Sequence, residues 1–318
     1  YHTLASSYAL SAPLVELLSC APELLAQPEY APLMCRVWEE TVLLAPEDVL
    51  HAFGMSVYGA MAPMVGHPNS PVIMEPIFAI DMHVRALSTA SLGAMANIMR
   101  ATHLDEAIFA SLCRESDMYH VLQRCAILVS RMALTMPPPM FHDMVRATAS
   151  WPDLCRRLIS TSATLSHARS RKLVALGLAH MLRHASAQDK GLLSAVPDMI
   201  GMWTEVVGEV VEDEAGSADR YERELSPTRA LEIGEDGIPF LDEFGLIEAA
   251  PTPSSARTDA VRSRDPSFNV PLRAYVADTL NAVLQNGSYK TQLQSLLATI
   301  DPLVLDTLQR GLSERPVA

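Results

Sequence analysis

Residues Ser170–Leu182 read S-R-K-L-V-A-L-G-L-A-H-M-L, and the fold turns on how many sides of this run are apolar. On a helical wheel Leu173, Leu176, Gly177 and Met181 share one face, and Val174, Leu178, Met181 and Leu182 share the adjoining one. A surface helix of an ordinary globule carries a single apolar stripe. Here the polar edge shrinks to Lys172, Ala175, Ala179 and Arg183, so the helix needs cover on at least two sides. A stack of helix pairs, each sandwiched between neighbours, meets that need. A compact helical bundle around a large core is the alternative.

Composition agrees with helix. Of 318 residues, 49% are hydrophobic and 19% charged, with 14 glycines and 6% aromatics. Low glycine and sparse β-branched runs favour helix over sheet. The length allows two ordinary domains or one elongated array. A net charge of -13 lacks the basic stripe a nucleic-acid surface needs, so no nucleic-acid partner is expected. An acidic field instead draws basic proteins. The five cysteines, Cys20, Cys35, Cys113, Cys125 and Cys155, form no C-x-x-C pair. They read as reduced, mostly buried thiols of an intracellular protein. The chain opens at Tyr1, without a methionine or a secretory signal pattern, and is expected to be a fragment of something longer. Val49 to Met74 is the longest stretch free of Asp, Glu, Lys and Arg, but Gly54, Gly59, Pro63, Gly66, Pro68 and Pro71 interrupt it. It reads as a buried helix followed by a turn, with no membrane insertion.

Taken in order, helical runs are expected over 4–18, 31–44, 46–64, 72–102, 104–112, 117–135, 140–149, 151–165, 170–182 and 188–211. Pro46 takes the favoured first-turn position of its helix, Asp117 is the expected cap of another, and Met136-Pro137-Pro138-Pro139 is a stop. Helices of about 10–20 residues alternate with breaks of about 2–6, and two successive helices take roughly 35–45 residues, the period of HEAT or armadillo units. The expected fold is therefore all-α: a right-handed HEAT-repeat α-solenoid of about six antiparallel helix pairs.

The character changes at Glu205. Between Glu205 and Glu248 stand 14 acidic residues against Arg220, Arg223 and Arg229. Low hydrophobicity with like charge predicts a mobile segment, although Phe240, Leu241, Phe244, Leu246 and Ile247 could dock as a short turn. Helices return over 271–284, 289–299 and 301–312, the last with Asp301 as N-cap and Pro302 in its first turn. The expected divisions are helical repeats over 1–204, the end of the last repeat helix plus an acidic insertion over 205–264, and C-terminal helices packing on the solenoid end over 265–318.

Catalytic patterns are weak. His180 and His184 have the i, i+4 spacing of two helical metal ligands, but Met181 stands where a zincin has Glu, and no third ligand is evident. Cys155 with His167 lacks an orienting group and an oxyanion site. No G-x-G-x-x-G and no P-loop occurs. No enzyme, metal or cofactor is expected.

Four features in a fixed order carry a family resemblance: S-R-K-L-V-A-L-G-L-A-H-M-L (170–182), the acidic insertion, R-D-P-S-F-N-V-P-L (264–272), and L-Q-S-L-L-A-T-I-D-P-L-V-L-D-T-L-Q-R-G-L (293–312). In that order they resemble the C-terminal end of importin-11-type karyopherins of the importin-β superfamily, over roughly 119–312. The importin-9 type is a sister branch that shares an acidic stretch followed by Asp-Pro and an apolar helix. The resemblance implies a HEAT-repeat nuclear transport receptor shuttling between cytoplasm and nucleus. It implies three partners: protein cargo, Phe-Gly nucleoporins, and GTP-bound Ran, which the family holds mainly by N-terminal repeats. Implied cargoes are ubiquitin-conjugating enzymes and ribosomal or ribosome-assembly proteins. A static HEAT scaffold without Ran control is the alternative.

Two charged groups are candidate contacts within that reading. Glu209, Glu212, Asp213 and Glu214 form an acidic arm suited to a basic cargo patch. Arg169, Arg171 and Lys172 cluster at a helix N-terminus, where cations oppose the macrodipole. A carboxylate of the acidic insertion or of a bound protein would offset that cost.

Overall fold

The computed structural model describes residues 10–67, 72–114, 118–189, 191–216, 257, 260, 261, 264–285 and 289–313, with the backbone alone for 211–216. Every regular element among them is a helix. In order these are α1 (Ala12–Ser19), α2 (Ala21–Leu25), α3 (Ala31–Leu44), α4 (Pro46–Gly66), α5 (Met74–Ala86), α6 (Thr89–Ala101), α7 (Leu104–Cys113) and α8 (Tyr119–Thr135). Then come α9 (Pro138–Thr148), α10 (Trp151–Ser162), α11 (Ala168–Arg183), a 3₁₀ turn (Leu193–Ala195) and α12 (Val196–Gly216). Beyond the acidic stretch lie α13 (Pro266–Asn269), α14 (Leu272–Gln285), α15 (Lys290–Leu297) and α16 (Pro302–Ser313).

The helices stack in rows. α3, α5, α8 and α11 pack side by side as one row, and α4, α7 and α10 line up behind them. The row helices begin at 31, 74, 119 and 168, so the unit is 43 to 49 residues. That is the HEAT and armadillo length. α3/α4, α8/α10 and α11/α12 pack as pairs, while α7 lies between α4 and α8, and the shorter helices α6 and α9 pack on α7 and on each other. One continuous apolar core runs through all of them, from Leu18 to Leu308. The architecture is the all-α HEAT-type solenoid expected from the sequence.

α11 is buried further than its pattern predicts. Lys172, Ala175 and Ala179, the expected polar edge, are buried with the rest, and of the four only Arg183 is exposed. The reason is a third cover. α8 lies on one side and α12 on another, where the Trp203 indole N–H donates to the Ala175 carbonyl at 3.1 Å. α13 and α14, arriving from beyond the acidic stretch, close the remaining side. Gly177 sits where α11 crosses α8 closely: a Cβ there would stand 2.9 Å from Ser130 Cβ and 3.0 Å from Ser130 Cα.

Several boundaries move. The run expected over 72–102 is two helices, because Leu87 and Ser88 are extended, with ψ of 147° and 155°. The Ser88 N–H is taken by the Glu47 carboxylate at 3.1 Å, across 41 residues of sequence. The proline run is a start as well as a stop: Pro137 precedes α9, and Pro138 and Pro139 fill its first turn, where a missing N–H costs nothing. α12 continues to Gly216, so the acidic stretch begins as helix. The Asp117 cap and the apolar residues 240–247 lie outside the described residues. α4 is long and apolar enough to cross a membrane by length and composition. Its Val49, Leu50, Val57, Tyr58, Met61 and Val65 face the core.

Candidate partner-binding surface

The cationic cluster at the start of α11 is largely spoken for. Arg171 bridges two carboxylates of α12: Glu205 at 3.2 Å and Glu209, which its Nη1 contacts directly. One turn of α12 separates the two glutamates, so a guanidinium fork spans both. The Arg169 guanidinium lies 4.0 Å from the centroid of the Phe268 ring, a cation–π contact with α13. Lys172 is buried. Of the acidic arm, Glu209 keeps a side chain 41% exposed beside Arg171. Glu212, Asp213 and Glu214 occupy the last turns of α12, and their side chains are not among those described. Arg171 thus meets carboxylates at the start of the acidic stretch, one of the two sources expected to offset the cationic cluster.

Sequence reading missed a second charged centre, buried between three helices. Arg131 of α8 is fully buried. It contacts Asp81 of α5 through Nη1, and Asp265 through Nε at 3.0 Å and Nη2 at 2.9 Å. Arg85, one turn along from Asp81, donates to it at 2.7 and 3.1 Å and stands 3.7 Å from Asp265. Two guanidinium groups and two carboxylates cancel in charge, which is what makes burial of the set affordable. Burial pushes the Asp265 carboxyl up, but Arg131 and Arg85 outweigh it and hold the group well below the usual carboxylate range. Arg131 stands amid the apolar residues Leu128, Val129 and Met132. A lone arginine in such a run is the available signal; its partner 134 residues away is not readable locally.

A third feature is acidic crowding on α3 and α5. Burial raises the Glu39 carboxyl to about 8, and the nearby Glu75 and Glu40 charges add to the rise while Arg36 opposes it. This face favours a protonated Glu39 or an incoming cation.

The candidate chemical groups are set for packing. Burial lifts the Cys155 thiol to about 12, so thiolate is not formed near neutrality. His180 and His184 lie with ring centroids 4.4 Å apart and planes tilted by 46°, and His180 Nδ1 pairs with the Tyr275 hydroxyl of α14 at 2.5 Å. Burial, then the neighbouring His184, His142 and Arg183, lower His180 to about 4. Among the described residues no three His, Cys, Asp or Glu side chains converge as metal ligands. Buried Asp189 is a structural hub. It accepts from Ser186 N at 2.7 Å, Trp151 Nε1 at 3.1 Å and Arg146 Nη1 at 3.0 Å, and pairs with His142 Nδ1 at 3.0 Å. These bonds tie the loop after α11 to α9 and α10.

The profile of a family described as importin-11-like, with TPR repeats, matches residues 2–313. TPR units are about 34 residues long, whereas the units here are 43 to 49. No curated protein and no solved structure matches the chain.

Proposed function

This chain belongs to the importin-11-like repeat family, and from that premise we propose that it is the repeat region of a nuclear transport receptor that carries protein cargo. The observation that carries the reading is the end-to-end match, residues 2–313, on a stack of helical units of the importin-β type. Cargo is held by the acidic side of the molecule and released when GTP-bound Ran engages the receptor. Phe-Gly nucleoporins take weak apolar contacts during passage, so the protein shuttles between cytoplasm and nucleus. The role is carriage by differential binding, with no reaction catalysed.

Two observations support a basic cargo patch. The net charge is -13, and like charges already crowd Glu39 on α3 and α5. The acidic arm of Glu209, Glu212, Asp213 and Glu214, on α12 at the other end of the row, is a second acidic region, with Glu209 shared between Arg171 and the partner. Charge reversal of all four is expected to weaken basic cargo and flatten the salt dependence; unchanged affinity and slope would remove the arm from the interface.

The deciding test is nucleotide-dependent binding. The intact receptor is presented with Ran loaded with GTP or GDP, and this chain with a Phe-Gly repeat peptide. Preference for the GTP form together with Phe-Gly binding is the expected result. Equal or absent Ran binding would leave a static HEAT scaffold.

A further inference from the structure

In a solenoid each unit touches its neighbours, and bending is resisted only at those interfaces. The segment 264–285 departs from that rule. It reaches α5 and α8 through Asp265, and α11 through Phe268 and α14, so it crosses three successive units of one row. We propose that this segment is a clasp that fixes the spacing of the three units, and that withdrawing Asp265 opens the row as one event.

The geometry of Asp265 divides its labour. Oδ1 accepts from Ser267 N at 2.9 Å and Ser267 Oγ at 2.7 Å, capping the one-turn helix α13 and fixing the shape of its own segment. Oδ2 faces outward to Arg131 and Arg85. The clasp head is therefore pre-shaped and offers a single oxygen to two cations. Phe268, three residues on, sets its ring against Arg169 at the start of α11. His180 and Tyr275 add a third fastening farther along α11.

Charge accounting makes the device two-state. With the clasp closed, two arginines meet two aspartates. With Asp265 withdrawn, Arg85 and Arg131 share Asp81 alone, and one buried positive charge is uncompensated. A buried charge without a partner is strongly unfavourable, so the row relaxes by admitting water between α5 and α8. The curvature of this part of the molecule is thereby coupled to one carboxylate, whether or not the chain carries cargo.

The test compares the unaltered chain with Asp265→Asn, which keeps a capping oxygen, and with Phe268→Ala, which leaves the charge set intact. Amide hydrogen exchange and small-angle scattering are read together. In Asp265→Asn, exchange over 264–285 and the facing parts of α5 and α8 is expected to accelerate about tenfold or more, while α4 and α7 keep their protection and the maximum dimension increases. Phe268→Ala is expected to loosen 264–270 alone. Unchanged exchange and scattering in Asp265→Asn would overturn the proposal, because the clasp would then bear no tension. So would a uniform loss of protection from α3 to α12, which would make Asp265 an ordinary core residue.

Discussion

Gly177→Ala adds one methyl group at the closest crossing of α8 and α11. Its new Cβ would meet Ser130 at 2.9 Å (Cβ), 3.0 Å (Cα) and 3.2 Å (O). Two of those atoms are backbone and the third is attached directly to it, so no side-chain rotation relieves the overlap. The helices must separate, which by the cost of overpacking is about 1–3 kcal/mol. Alanine recovers roughly 1 kcal/mol of helix propensity. Because both helices are buried and tied on their other sides, the upper half of the overpacking range applies, for a net loss of about 1–2 kcal/mol. In a chain this long that lowers the melting temperature by only a few degrees. The assay therefore needs an internal reference. Gly201 in α12 has nothing within 4 Å of a built Cβ, so Gly201→Ala gains the propensity alone and stabilises by up to about 1 kcal/mol. Chemical denaturation of these two variants, of Ser130→Gly, and of Gly177→Ala combined with Ser130→Gly, completes the comparison. The double variant is expected to lose less than the sum of Gly177→Ala and Ser130→Gly measured singly, since the opposing Cβ is gone while the new glycine carries its own helix-propensity cost. If Gly177→Ala stabilises as much as Gly201→Ala, the close-crossing argument is wrong.

Three further outcomes follow from the ionisable groups. His83 is lowered to about 4 by burial, and His180 likewise, so both bind a proton more readily in the unfolded chain. Stability is then complete above about pH 6.5 and falls as pH drops toward 4, by up to about 3 kcal/mol for fully buried His83 and less for His180; thermal melts across that window check it, and His180→Gln should reduce the slope. Glu39 runs the other way: its carboxyl is raised to about 8, so its neutral form favours folding and its contribution is lost as pH rises through 8. Glu39→Gln is expected to stabilise at pH 9 by up to about 4 kcal/mol and at pH 6 by less than about half of that, a difference that melts at the two pH values resolve. A double-mutant cycle on Arg171 and Glu209 should show coupling below about 1 kcal/mol that shrinks with added salt, because Glu209 is partly exposed; coupling of several kcal/mol would place the pair among the buried ones.

The local elements were legible because their signals are local. The apolar circumference of 170–182 announced a helix with neighbours on several sides, and α11 has them. Pro46 and Pro302 mark helix starts that the structure keeps. The break at Leu87–Ser88 was harder: Ser88 is a reasonable cap, but the contact that holds it comes from Glu47. Burial of Lys172 was not legible either. The helix that covers that side lies beyond the acidic stretch, and helical periodicity carries no information about it.

For the charged groups, residue type was readable and partnership was not. The clusters 169–172 and 209–214 were evident as charge, yet the pairing of Arg171 with Glu205 and Glu209 depends on how α11 and α12 lie side by side. The same holds more strongly for Asp265. Its capping role follows from Asp-Pro-Ser in sequence, since a side-chain oxygen two residues from an N–H needs only local geometry. Its other oxygen meets Arg131 across 134 residues. Hydrophobic period and helix punctuation act within a few turns of chain, so by itself the sequence determined the all-α class, most of the helices and the family, and the unit length only approximately. Which buried charges cancel is a sum over groups brought together by packing, and only the tertiary structure decided it.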